Sequence, residues 1–172
     1  GDRTSLDVIE ESEHPVLITH AGARAIWNSP RMKPDEVLKA CASRGGVIGI
    51  CAAPNTTLSP SNRAHTIDSV MEHFEYIVDL VGIDHVAFGP DTIYGDHVAL
   101  QHAFDDRLKI SASHDSEGEE YEESPYVKGV ENPTEAMQNI VRWLVKKNYS
   151  FRDIEKVVGK NALRVMKHVL KP

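Results

Sequence analysis

The sequence is poor in cysteine, in long apolar runs and in excess positive charge, and each shortage excludes a class of protein. Two cysteines among 172 residues, Cys41 and Cys51, are too few for a disulfide framework, and their apolar surroundings predict buried, reduced thiols. No stretch approaches the roughly 20 apolar residues that cross a bilayer, which predicts no membrane span. A net charge of −7 argues against a nucleic-acid partner. The lack of disulfides favours a cytoplasmic location.

What is present is the composition of an ordinary globular domain. Hydrophobic residues make up 41% of the chain and charged residues 26%. The length is sufficient for one domain with a buried core. The one unusual feature is a set of nine histidines in a chain with only 6% aromatic residues, which directs attention to metal ligands.

Strand and helix signals alternate along the first half of the chain. Apolar runs predict strands at 15–20, 46–51 and 85–89. Apolar residues at helical spacing predict helices at 3–11, 34–44, 66–81, 134–147, 150–158 and 161–170. The alternation predicts an α/β fold with a parallel sheet and right-handed crossovers. Residues 92–132 show little periodicity and are predicted to form one long loop, with a mobile tip at the acidic run 117–123.

Polar side chains follow the ends of the predicted strands. His20 ends the first strand, and Asp91 follows the third. The carboxyl ends of parallel strands meet at one edge, where functional side chains collect. An imidazole binds zinc, and a carboxylate binds metal or moves a proton of bound water. Arg31, eleven residues after His20, suits a bidentate clamp on a carboxylate.

Each of these residues has a structural alternative. His20 is otherwise a hydrogen-bonded structural histidine, Asp91 a turn-capping residue and Arg31 a solvated surface charge. The acidic run lacks the ligand spacing of a calcium site. The other histidines show neither a two-histidine helix motif nor cysteine partners and are interpreted as structural or exposed. His97 is the main exception, because it follows Asp91 in the same loop.

Four ordered segments resemble the membrane (renal) dipeptidase family of zinc peptidases. The segment PVLITHAGARA at 15–25 resembles the family's PVI-x-SH-S-x-A-R-A stretch, and RMKPDEVL at 31–38 resembles its RN-x-x-D-x-x-L stretch. The segment HVAFGPD, which ends at Asp91, resembles the family's H-V-x-x-G-x-D motif. Residues 149–165 resemble its closing helices, so the resemblance spans nearly the whole chain.

The resemblance implies a (β/α)8 TIM-type barrel with two bridged zinc ions, in which metal-activated water hydrolyses the peptide bond of a dipeptide. It implies that His20 is a zinc ligand and that Arg31 holds the terminal carboxylate of the substrate. It implies that Asp91 is catalytic, faces the substrate and handles a proton at the tetrahedral intermediate. The segment TIYG at 92–95 departs from the family's F-D-G-like turn, which affects substrate preference.

The family's early His-x-Asp pair, bridging glutamate and further ligand histidine are absent from the sequence. Three predicted strands stand where a barrel needs eight, so we interpret residues 1–172 as the C-terminal portion of the barrel domain, about three βα units plus closing helices. Residues 92–132 are then a loop over the barrel mouth. We expect this portion to be inactive alone and to need the N-terminal half of the barrel, or a homo-oligomer. The alternatives are a noncatalytic fragment or scaffold half-barrel, and another metal-dependent amidohydrolase that does not require Arg31.

Overall fold

Three parallel strands and seven α-helices make up the computed structural model of the chain, which describes residues 1–108 and 122–170. The strands are β1 (Leu17–Ala21), β2 (Val47–Ile50) and β3 (Val86–Phe88), and they form a sheet in the order β1-β2-β3. The helices are α1 (Asp2–Glu11), α2 (Asp35–Ser43), α3 (Ile67–Val81), α4 (His97–Leu108), α5 (Pro133–Lys146), α6 (Phe151–Glu155) and α7 (Asn161–Val169). The predicted α/β fold with a parallel sheet is confirmed.

The two faces of the sheet are packed unequally. One face joins the main core with α2, α3 and α5, and its fully buried strand residues are Ile48, Ile50 and Val86. On the other face a small second cluster unites Val47 and Ala87 with Val165 of α7. The continuous apolar sequence of β2 follows from this arrangement, because all four of its residues are covered. Cys41 and Cys51 are buried free thiols, as predicted.

Strand β1 bulges where it passes the ends of its neighbours. Its pairing with β2 is interrupted between Ile18 and Ala21. The bulge places the Thr19 carbonyl over Gly49 and Gly89, where any Cβ would lie well inside van der Waals contact with that oxygen. Because the two glycines have no side chain, they make room for β1 to depart from regular pairing with β2.

Replacement Gly89→Ala is expected to lower the free energy of unfolding by about 3 kcal/mol, because the new methyl group meets backbone rather than a side chain that can move away. Gly159→Ala is the matched control, since a Cβ at Gly159 meets no atom within 4 Å and alanine favours helical backbone. Urea unfolding measures both variants. Equal stability of the two would contradict the close approach of β1 to Gly89.

The structure differs from the predicted long loop at α4, which lies inside 92–132. Asp96 starts this helix, because its Oδ1 accepts hydrogen bonds from the N–H groups of Val98 and Ala99 at 2.8 and 3.2 Å. The helical signal is weak in the sequence because Leu100 and Phe104 do not join the core and are 40% and 46% exposed. Most of the acidic run 117–123, with its predicted mobile tip, lies outside the described residues.

The closing helices form one continuous helical segment. Ser150 caps α6 as predicted, since its Oγ accepts from the Asp153 N–H at 3.1 Å. A π-helical turn, Lys156–Lys160, then leads directly into α7. Asn161 anchors that junction by donating to the carbonyl oxygens of Ile83 and Val86 at 2.7 and 2.8 Å. Within 1–108 and 122–170, no helix has the length and apolar character needed to cross a bilayer.

Candidate active site

A cleft of about 230 Å³ is lined by residues that follow all three strands. The loop after β1 contributes Arg31, the loop after β2 contributes Ala53, and the segment after β3 contributes Asp91 and His97. Loops that follow parallel strands converge at the carboxyl edge of the sheet, where α/β folds place their sites. The structure therefore brings two of the three predicted site residues, Arg31 and Asp91, to one cleft.

The loop that carries Arg31 is held at its base. The backbone N–H of Arg24 donates to the Lys33 carbonyl at 2.9 Å, which closes the loop. The Arg24 guanidinium pairs with the Asp2 carboxylate and donates to the Met32 carbonyl at 2.7 Å. Its hydrogen bond to Asp2 lowers the pKa of that carboxyl group below its usual value. These contacts fix the backbone beside Arg31.

Asp91 occupies the turn after β3 in a left-handed conformation with φ 55°. Aspartate adopts this region more readily than most residues because its short side chain is polar. The Pro90 carbonyl before it accepts from the Ala52 N–H at 2.9 Å, which ties the turn to the loop after β2. Burial raises the pKa of the Cys51 thiol. The negative charge of Asp91 adds a smaller increase to this pKa, and the positive charge of Arg31 lowers it slightly. Cys51 is therefore within electrostatic range of both charged residues.

His97 lies at the start of α4 and lines the same cleft. Its Nε2 atom is shielded from solvent and has no hydrogen-bond partner in the described part of the chain. Burial lowers the pKa of His97, and the carboxylates of Asp91 and Asp96 oppose this shift only in part. The ring is therefore neutral at pH 7, and the cleft gains no positive charge from it.

His20 lies in the bulge of β1 and is not part of the cleft lining. Its Nδ1 atom is 2.9 Å from the Thr19 hydroxyl, and the side chain is exposed. A Cβ placed on Gly89 would be 3.6 Å from the His20 Cβ. His20 therefore lies beside Gly89, which follows β3 and precedes Asp91 by two residues. Bulges redirect side chains next to active sites in many proteins, and the β1 bulge has this position.

The described residues do not form a complete metal site. Nowhere in 1–108 or 122–170 do three or more His, Cys, Asp or Glu side chains group as metal ligands. A catalytic zinc ion normally takes three protein ligands and a water molecule. His20 offers one imidazole, whose Nδ1 is hydrogen-bonded to the Thr19 hydroxyl. A single ligand is too few to hold a catalytic zinc ion, so other residues would have to complete the site.

His73 has a role that sequence reasoning did not assign. It is fully buried in α3, where its Nδ1 accepts from the Ala23 N–H at 3.0 Å and its Nε2 donates to the Leu58 carbonyl at 2.7 Å. Burial lowers the pKa of His73 to about 4, so the ring is neutral. His73 thereby joins the loop after β1 to the loop after β2. The signal for it was a polar residue within the apolar stripe of α3.

Comparison with known sequences identifies relatives along the whole chain. Residues 1–107 match the family described as membrane dipeptidase, peptidase family M19. The dipeptidase ataJ of Aspergillus terreus is 30% identical over 169 residues, which are 98% of this chain and 34% of that protein. The dipeptidase tcpJ of Claviceps purpurea is 26% identical over 98% of this chain and 33% of its own length. The chain thus spans about a third of the length of these curated relatives.

Solved structures resemble the chain in the same way. An amidohydrolase from Pseudomonas aeruginosa has a TM-score of 0.78 and 29% identity, covering 96% of this chain and 49% of that one. A metallopeptidase from Rhodobacter sphaeroides, solved with a phosphinate mimic of the dipeptide L-Ala-D-Ala, has a TM-score of 0.69 over 97% of this chain and 40% of that one. At 18% identity the second likeness concerns the fold alone. Because the family match covers more than half of its residues, the chain belongs to the membrane dipeptidase family, peptidase family M19.

Proposed function

We propose that the chain is the C-terminal portion of a zinc-dependent dipeptidase that hydrolyses the peptide bond of dipeptides. One observation carries the proposal: Arg31 and Asp91 come from loops after two different strands and line the same small cleft. A guanidinium group suits a terminal carboxylate, and a carboxylate suits proton transfer at an amide. In a dipeptide, the terminal carboxylate and the peptide amide are only a few bonds apart, so one small cleft can hold both.

Each site residue has a separate task in this proposal. Arg31 binds the terminal carboxylate of the dipeptide, and Asp91 faces the substrate and transfers a proton at the tetrahedral intermediate. His20 is a ligand of one of two zinc ions, which when bound supply an activated water molecule. Because no three or more possible ligands group together in 1–108 and 122–170, the proposal takes the other zinc ligands from residues outside these ranges.

The three βα units form part of a (β/α)8 barrel in this proposal, with the described parts of 92–132, residues 92–108 and 122–132, over its mouth. Two features support it. In the described part of the chain, β1 and β3 are edge strands, each paired on one side only. The sheet face that carries Val47 has only a small apolar cluster. A closed barrel pairs such edges and fills such a face, and the N-terminal half of the barrel or a homo-oligomer supplies the missing cover.

Arg31→Ala is the direct test of the carboxylate site. The variant is expected to lower kcat/KM for dipeptides by about 10²-fold or more, because it removes the charged partner of the substrate carboxylate. Arg142→Ala is the matched control, since Arg142 is exposed on α5 and bonds to Asn139 away from the cleft. A dipeptide amide, which lacks the carboxylate, is expected to be equally poor for wild type and Arg31→Ala.

The assay uses the polypeptide that carries the rest of the metal site. Denaturing mass spectrometry of the purified protein first establishes whether a second polypeptide accompanies this chain. Unchanged dipeptide hydrolysis by Arg31→Ala would overturn the dipeptidase proposal. Hydrolysis without preference for a free carboxylate would instead indicate another metal-dependent amidohydrolase. No hydrolysis by the assembled, zinc-supplied protein would indicate a noncatalytic scaffold.

A further inference from the structure

One face of α4 presents apolar side chains to the cleft instead of to the core. His97, Leu100, Gln101 and Phe104 line the cleft, and their spacing places them on a single face of the helix. Leu100 and Phe104 are 40% and 46% exposed there, and Ile93 extends the apolar surface toward Asp91. Apolar side chains gathered in a cleft and left open to solvent indicate a binding surface.

The size and charge of the cleft limit what this surface binds. About 230 Å³ is less than the roughly 300–1,000 Å³ of sites for drug-sized ligands, so the cleft suits a ligand of one or two residues. Arg31 in the same lining favours a ligand that ends in a carboxylate. In a peptide, the side chain nearest that carboxylate is the one on the C-terminal residue, because both are attached to the same Cα. Because Arg31 and the α4 face line the same small cleft, that side chain is the part of the ligand expected to meet the α4 face.

The character of the surface selects among side chains. Among the described residues that line the cleft, Arg31 is the only cationic one, because His97 is neutral at pH 7. An acidic ligand side chain would lie near the Asp91 carboxylate and be repelled. An apolar side chain would instead shield Leu100 and Phe104 from water, which is favourable in proportion to the area covered.

We propose that Ile93, Leu100 and Phe104 form the subsite for the side chain of the substrate's C-terminal residue. This subsite prefers bulky apolar side chains over glycine and over acidic side chains. The inference rests on the proposed function, since it takes Arg31 as the group that binds the carboxylate. It adds a substrate class and assigns the selection of that class to α4.

Binding of N-acetyl amino acids tests the subsite without the need for hydrolysis. The binding can be measured on this chain, because every proposed contact residue belongs to it. NMR titrations of the purified protein with a chelator present compare N-acetyl-leucine, as each enantiomer, with N-acetylglycine and N-acetylaspartate. The enantiomer of N-acetyl-leucine with the higher affinity is expected to bind about tenfold more tightly than N-acetylglycine, because its side chain covers part of the α4 face. N-acetylaspartate is expected to bind more weakly than N-acetylglycine.

Variants separate the subsite from the carboxylate site. The double variant Leu100→Ala/Phe104→Ala is expected to bring the leucine-to-glycine affinity ratio close to one, and both side chains are exposed enough that the core is spared. Phe151→Ala is the control, since it truncates a phenylalanine that is 77% exposed outside the cleft, and it is expected to keep the ratio. Arg31→Ala is expected to weaken both ligands.

The outcomes distinguish the two hypotheses. If Arg31→Ala weakens both ligands but wild type binds leucine no better than glycine, the subsite is wrong and the carboxylate site stands. The subsite is also wrong if the double variant keeps the wild-type ratio. If Arg31→Ala leaves both affinities unchanged, or neither ligand binds up to its solubility limit, the carboxylate site itself is wrong and the subsite falls with it.

Discussion

Replacement of Asp91 by asparagine is expected to lower kcat for dipeptide hydrolysis by about 10²- to 10⁴-fold with little change in KM. Asparagine has nearly the same size and also adopts the left-handed backbone, φ 55°, that this turn requires. It cannot take up a proton at neutral pH. The substitution therefore removes the proposed proton transfer while keeping the turn after β3.

Asp96→Asn is the matched control for this prediction. Asp96 lies five residues further along, outside the cleft lining, and caps α4 through Oδ1, a task that asparagine performs equally well. Steady-state kinetics of both variants, in the assembled protein supplied with zinc, give the comparison. Wild-type kcat in Asp91→Asn would show that Asp91 serves only to form its turn, which is the structural alternative raised by the sequence.

Replacement of His73 is expected to cause the largest loss of stability among the residues around the cleft. His73→Phe leaves the Ala23 N–H and the Leu58 carbonyl without their partners in the core. Each unpaired buried group costs about 1–3 kcal/mol, so the free energy of unfolding is expected to fall by about 2–6 kcal/mol. His73→Asn retains an acceptor near the Nδ1 position and His73→Gln a donor near the Nε2 position, so each is expected to lose less. Urea unfolding measures all three, and a stable His73→Phe variant would contradict the assigned role.

The pKa of His73 also predicts how stability changes with pH. The ring has a pKa of about 4 in the folded protein against an ordinary value of 6.5, so between these pH values the unfolded chain binds a proton that the folded chain does not. The free energy of unfolding therefore falls as pH decreases from 6.5 toward 4, by up to about 3 kcal/mol from this residue. His73→Gln is expected to show a smaller change between pH 7 and pH 5 than wild type. The exposed His168→Gln is the control, and equal pH dependence in wild type and His73→Gln would refute the linkage.

Much of the fold was predictable because its signals are local. The continuous apolar run of β2 and the apolar stripe of α3 each reflect burial of consecutive or regularly spaced residues within one segment. The start of α6 was predictable from Ser150 for the same reason. Helix α4 was not predictable, because Leu100 and Phe104 line the cleft instead of joining the core and share their face of the helix with the polar His97 and Gln101. Its periodicity is therefore too weak to distinguish it from a loop.

For the candidate site, the sequence indicated which loops meet but not how their side chains are arranged. The order of strands and loops in the sequence determined that residues after β1 and β3 meet at one edge, because parallel strands end together. Only the tertiary structure decided that Arg31 and Asp91 share a cleft while His20 is not part of its lining. The bulge of β1 depends on the space left by Gly49 in β2 and by Gly89 directly after β3. Only the tertiary structure showed His73 between two loops, since its partners lie 50 and 15 residues away in the chain. Such contacts depend on packing between distant segments, and no local pattern of residue types encodes them.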